Sequence, residues 1–271
     1  MLIPLLVAVL GIAIGAGGVV ARRPFGRAAV ARPARSEAAA HRVTGRSAVV
    51  ATPLSDRAIY ARVEPSVVDV TTTLRSGDET ASGTGFVVDS RAGLVLTNNH
   101  VIRDATAVTV TIPATGRTYQ AAVVGADQAA DIAVLQISPV PGLTAARLGD
   151  SAAVAVGTTV VAIGNRAGAG GAPVSAPGVI SGTGATIEAT DSASGFTETL
   201  PGLLATTAKI VPGDSGGPLA DADGAVIGVD TAAGTGGAAA GYAIPINAAM
   251  AAERQILAGT RRYQRGVAYP G

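Results

Sequence analysis

Beyond about residue 60 the apolar positions come in short runs, each closed by Gly, Pro, Asp or Asn. Runs of that kind, rich in Val, Ile and Thr, read as many short strands rather than long helices. Strands are expected at Val67–Thr73, Gly85–Asp89, Ala107–Ile112, Thr118–Val124, Ile132–Ile137, Thr158–Ile163, Val226–Thr231 and Gly241–Ile244, with a further apolar strand opening at Leu94. One helix stands out near the end. Asn247 is placed to cap Ala248–Leu257, and Gly259 follows where a left-handed residue ends a helix. The pattern therefore predicts an all-β fold with a C-terminal helix.

Residues 63–271 are enough for one domain, within the size range where all-β folds remain a single unit. Aromatic residues make up only 3% of the chain and tryptophan is absent, so the core must be packed from Val, Ile, Leu and Ala. Cysteine is absent too, which removes disulfides and every thiol mechanism. Residues 1–21 differ in kind. From Leu2 to Ala21 there is no charged side chain, and about 20 such residues can span a bilayer. This segment is expected to be a transmembrane anchor, with a cleaved signal and a secreted product as the alternative. Residues 22–62 carry nine of the twenty basic residues among Ala, Pro, Ser and Val, and are expected to be a flexible tether.

Candidate chemistry lies in Gly213-Asp-Ser-Gly-Gly-Pro-Leu219. A serine between residues that free the backbone, just before an apolar strand, suits a nucleophile better than a core. Ser215 needs a base, and the chain has two histidines. His41 sits in the Arg/Ala/Pro stretch; His100 ends the strand Leu94-Val-Leu-Thr and its polar turn, where catalytic groups usually lie. A carboxylate should accept the other ring N–H and fix the tautomer. Asp131, opening the apolar run Ile132–Ile137, fits best.

The order His100, Asp131, Ser215 resembles the trypsin-like serine peptidases, and more narrowly their HtrA/Deg-like branch. Ser82-Gly-Thr-Gly-Phe-Val-Val88, Val160-Val-Ala-Ile-Gly-Asn165, Gly224-Ala-Val-Ile-Gly-Val-Asp-Thr231 and Gly241-Tyr-Ala-Ile-Pro-Ile246 extend the likeness over roughly residues 63–258. It implies two six-stranded antiparallel β-barrels and hydrolysis of polypeptide substrates through an acyl-enzyme. It also implies work in protein quality control or processing in the bacterial envelope, with the domain outside the cytoplasm, and commonly a homo-oligomer. Gly213, Asp214 and Ser215 would form the oxyanion hole. Lys209, the only lysine, would lie at the base of the substrate pocket if it points inward and be a solvated charge if outward; Asp230, Thr231 and Ala232 would form the facing wall, with Asp230 able to neutralise Lys209.

Two features depart from that branch. Its members usually carry asparagine before the serine, so Asp214 must find a cation or stay solvated. The 25 residues after Ile246 are also too few for an added PDZ module, since domains begin at about 50 residues. The competing class is an inactive protease-like fold that binds peptides.

Other partners are disfavoured. Arginines in 22–62 have only two accompanying aromatics, Phe25 and Tyr60, and the net charge is +1, so nucleic acid is not expected. A solvated linker, or contact with anionic lipid headgroups, suits them better. Gly164-Asn-Arg-Ala-Gly-Ala-Gly-Gly171 lacks the Gly-Lys-Ser/Thr ending of a phosphate loop, and no metal constellation or cofactor motif is visible.

Overall fold

Runs such as Ile132-Ala-Val-Leu are apolar on both faces of a strand, and the computed structural model of the protein shows where each face goes. It describes residues 54–74, 80–168, 170–190, 197–233 and 241–259. The first six strands are β1 (Val67–Leu74), β2 (Thr80–Asp89), β3 (Leu94–Thr97), β4 (Ala105–Ile112), β5 (Arg117–Asp127) and β6 (Ile132–Gln136). The second six are β7 (Thr159–Gly164), β8 (Val174–Thr190), β9 (Thr197–Thr206), β10 (Pro218–Asp221), β11 (Val226–Ala233) and β12 (Gly241–Pro245). Antiparallel pairing closes each set into a barrel, in the orders β1-β2-β3-β6-β5-β4 and β10-β11-β12-β9-β8-β7. The all-β, two-barrel expectation is met.

Side chains alternate across a strand, so each barrel strand can serve two cores. In β6, Ala133 and Leu135 fill the first barrel with Val68, Val70 and Val95. Its Ile132 and Val134 face outward into a second cluster, which joins them to Val161 and Ile163 of β7. Val160 and Ala162 turn the other way, into the second barrel with Leu204, Ile210 and Leu219. The site is built along the seam between the two barrels, where both faces of these strands are buried.

Helices α1 (Asp56–Val63) and α3 (Ile246–Leu257) cover that seam. Ser55 Oγ accepts the Ala58 N–H at 3.3 Å, and Ile59 and Val63, one turn apart, are buried at 0% and 3% exposure. Residues 54–62, expected as the end of the tether, are therefore packed. The helix is held by Tyr60 Oη donating to Pro173 O at 2.9 Å and Arg62 to Asp223 O at 3.0 Å. The anchor at 1–21, the tether up to 53 and His41 lie outside the described residues, among which no helix is long and apolar enough to cross a membrane.

Two local expectations change. Asn247 does not cap α3, which starts at Ile246 because that side chain is buried at 1% exposure. Asn247 Nδ2 instead donates to Asp150 Oδ1 at 2.7 Å. Gly259 does end the helix, at φ 74°. The longest hairpin, β8 with β9, was not among the expected strands, since Val174-Ser-Ala-Pro-Gly-Val-Ile-Ser-Gly-Thr-Gly184 offers no apolar run.

One strand carries a carboxyl where an apolar residue is expected. Asp69 in β1 is 5% exposed, and burial pushes its carboxyl up to about 6 against the opposing hydrogen bond from Asn165. Because the folded state holds this proton more tightly than an unfolded chain, Asp69 contributes stability below about pH 4 and loses it as pH rises through about 6. Asp69→Asn is expected to relieve on the order of 1–3 kcal/mol at pH 7.5, at about 2–4 °C in Tm per kcal/mol for a domain of this size. Calorimetry should show the gain shrinking toward pH 4; a larger gain at pH 4.5 than at pH 7.5 would refute the assignment.

Candidate active site

His100, Asp131 and Ser215 come from three different segments, and the seam brings two of them into direct contact. The strand β3 ends in the short helix α2 (Asn99–Ile102), which carries His100. Asp131 sits in the turn between β5 and β6, in the left-handed region at φ 50° and at 0% exposure. Hydrogen bonds to one carbonyl lock the two segments together: the Asn98 side-chain Nδ2 and the Asn99 backbone N both donate to Asp131 O, at 2.9 and 3.2 Å.

Three donors converge on the Asp131 carboxylate. The His100 backbone N–H donates to Oδ1 at 2.9 Å. On Oδ2, His100 Nδ1 lies at 2.8 Å and Thr231 Oγ1 donates at 2.7 Å. Ser215 Oγ donates to Thr231 O at 3.1 Å. Thr231, expected only as a pocket wall, thus touches both the serine and the aspartate. Its partner in the wall, Ala232, lies in β11 opposite Tyr242.

The serine turn is clamped from both barrels. Thr84 of β2 accepts the Asn165 N–H on Oγ1 at 2.8 Å and donates from it to Gly213 O at 2.7 Å, while its own N–H donates to Ser215 O at 2.8 Å. The Gly216 N–H donates to Asp230 O at 2.7 Å. Gly213 and Gly216 have φ of 94° and 86°, and a Cβ at Gly216 would stand 2.1 Å from Thr84 O, so only glycine fits there. The N–H groups of Gly213 and Ser215, expected as the oxyanion donors, give no hydrogen bond to any acceptor among the described residues. Sequence reasoning missed Thr84 and Asn165. Their signals, a threonine between two glycines and an asparagine closing β7, carry no chemistry until the barrels meet.

The expected substrate pocket is revised. Lys209 is exposed, the outward option, and makes no pair with Asp230. Asp230 is fully buried and its carboxyl oxygens find no hydrogen-bond partner among the described residues. Burial first, and the neighbouring Asp214 charge second, hold its carboxyl far above the usual carboxylate range. Strand alternation accounts for the failed pairing, because Thr231 occupies the face toward Asp131 and turns Asp230 the other way. Ile210, the neighbour of Lys209, is turned inward, into the second barrel's core. It is 2% exposed, and a Cβ on Gly241 would come within 2.6 Å of its side chain.

Asp214 has found a cation. It is 2% exposed, accepts the Val211 N–H at 3.0 Å on Oδ2, and has Arg166 Nη2 3.7 Å from the same oxygen. Burial raises its carboxyl pKa, and the Val211 N–H and the Arg166 charge oppose the rise.

Two closed barrels with a carboxylate-bound histidine and a glycine-held serine at their seam define the chymotrypsin-type peptidase class. In agreement, residues 83–229 match the model of the trypsin-like peptidase domain, and the chain belongs to that family. The periplasmic serine endoprotease DegP of Escherichia coli is 40% identical over 171 residues, 62% of this chain and 34% of its own length. The serine protease PepD of Mycobacterium tuberculosis is 34% identical over 257 residues, 88% of this chain and 54% of its own. The chain thus spans between about a third and about half of these relatives. Among solved structures, the HtrA-type protease AlgW with a tripeptide superposes with a TM-score of 0.64 at 32% identity, covering 77% of this chain and 65% of that one.

Proposed function

We propose that this chain is a serine endopeptidase using His100, Asp131 and Ser215. The observation that carries the reading is the convergence on Asp131, whose carboxylate holds His100 Nδ1 at 2.8 Å and so leaves Nε2 as the basic nitrogen. Ser215 Oγ attacks the peptide carbonyl carbon while His100 Nε2 takes its proton. The oxyanion is held by the N–H groups of Gly213 and Ser215, each donor of this kind contributing about a hundred- to a thousand-fold in turnover. The imidazolium then protonates the departing amine. Water, deprotonated by the same nitrogen, hydrolyses the acyl-enzyme and frees Ser215.

Ile210 and Gly241 favour a small aliphatic side chain before the cleaved bond, and the outward Lys209 gives an acidic side chain no partner. The periplasmic relative and the uncharged run from Leu2 to Ala21 support a tethered domain outside the cytoplasm, acting on envelope proteins.

A fluorophosphonate probe should label Ser215, as located by peptide mapping, and a mixed peptide library should be cut after aliphatic residues. A folded chain that neither labels nor cuts would replace the peptidase by a peptide-binding relic. Cleavage after Asp or Glu would return Lys209 to the pocket.

A further inference from the structure

Asp214 poses a problem that the serine mechanism does not solve. A carboxylate at 2% exposure, with one oxygen unpartnered and the carboxyl of Asp230 as a neighbour, needs a positive charge to stay ionised. The backbone around it leaves little freedom. Gly164 abuts its Cα, where a Cβ would come within 2.6 Å, and the Asp214 N–H donates to Val211 O at 2.9 Å. Two residues after Gly164, Arg166 begins the 3-10 turn Arg166–Gly168 and reaches back over the segment 209–214. Its Nη2 lies 3.7 Å from Asp214 Oδ2 and donates to Lys209 O at 3.4 Å. One guanidinium therefore touches both ends of the segment that presents the Gly213 N–H.

We propose that Arg166 is a positioning residue that holds the oxyanion turn in its working form by fixing Asp214 and the Lys209 carbonyl together. Chymotrypsin-like zymogens meet the equivalent need with a newly cut N-terminus; here the cation is internal and present from the start. The turn is then competent without proteolytic activation. An uncharged residue at 166 would leave the buried Asp214 charge uncompensated, so the carboxylate would turn toward water and pull the adjoining Pro212–Gly213 peptide, which bears the Gly213 N–H, out of place. Substrate binding away from this peptide would be little changed. This rests on the peptidase reading above.

The test is a double-mutant cycle on the full chain, read in peptide hydrolysis and in thermal midpoint. Arg166→Met is expected to lower kcat by about 100- to 1,000-fold, the range of a lost oxyanion donor, with KM within about threefold. Arg166→Lys should recover part of the loss, since it keeps a positive charge near Asp214 but lacks the planar guanidinium whose Nη2 meets Asp214 Oδ2 and Lys209 O together. In an Asp214→Asn background, Arg166→Met should change kcat and Tm much less than it does alone, because the amide needs no counter-charge. An unchanged kcat in Arg166→Met, a loss carried by KM, or an equal loss in the Asp214→Asn background would each overturn the assignment. If Arg166→Met does not fold, the Arg166→Lys comparison in both backgrounds gives the same coupling. An inactive parent that still shows the Tm coupling would instead overturn the peptidase reading and keep the Arg166–Asp214 link.

Discussion

Ser215→Ala is expected to fold as the parent does and to lose peptide hydrolysis by about a million-fold in kcat. Folding should survive because the turn is held by backbone atoms. Thr84 N donates to Ser215 O at 2.8 Å, Thr84 Oγ1 to Gly213 O at 2.7 Å, and the Gly216 N–H to Asp230 O at 2.7 Å, all of them unaffected by the side chain. The hydroxyl's own hydrogen bond, to Thr231 O at 3.1 Å, is part-buried, and its loss should cost about 1 kcal/mol. Catalysis should not survive. Without Oγ no acyl-enzyme can form, and only the oxyanion donors and substrate binding remain to act on a water molecule. Circular dichroism with a sensitive fluorogenic peptide assay checks both halves. A mutant that keeps more than a per cent of parental turnover would remove Ser215 from the mechanism.

The second large effect is expected from Asp131→Asn, about ten-thousand-fold in kcat with the fold preserved. Asparagine tolerates the left-handed backbone at 131 and replaces a carboxylate of the same shape. What it cannot do is accept three hydrogen bonds on two oxygens. The His100 backbone N–H needs an acceptor at Oδ1, while His100 Nδ1–H and the Thr231 hydroxyl need one at Oδ2. An amide placed with oxygen toward the backbone faces His100 Nδ1 with NH2, which draws the ring into the tautomer with its proton on Nε2. That nitrogen is then no longer a base. The reverse placement sets two donors against each other at the backbone. Asp127→Asn is the comparison, since Asp127 Oδ1 accepts the Ala130 N–H at 3.3 Å within the same turn. Steady-state kinetics should show its loss to be far smaller; an equal loss would move the third role from Asp131 to Asp127.

Much of the molecule was legible in the residue order because its causes are local. Short apolar runs closed by turn residues mark strands wherever they fall, and a strand such as Ile132-Ala-Val-Leu, apolar on both faces, requires two cores. Gly213 to Gly217 announces a turn that only glycine can make, with a serine at its centre. Two histidines and one well-placed carboxylate then narrowed the remaining chemistry. The β8–β9 hairpin was not legible, because its polar and glycine-rich exposed face gives no hydrophobic period.

The tertiary structure decided everything that depends on residues far apart in the chain meeting at the seam. Thr231 reaches Asp131 across 100 positions and Ser215 across 16, which makes a wall residue into the link between them. Thr84 meets Gly213 across 129 positions. Lys209 and Asp230 could be paired on paper, yet strand alternation and the Thr231 contact turn Asp230 inward and leave Lys209 in solvent. Asp214 was recognisable as a charge in need of a partner, but that its partner is Arg166 follows only from where the loop after β7 lands. A residue's type and its neighbours in sequence determine which hydrogen bonds and charges it must satisfy; the closure of the two barrels determines which groups satisfy them.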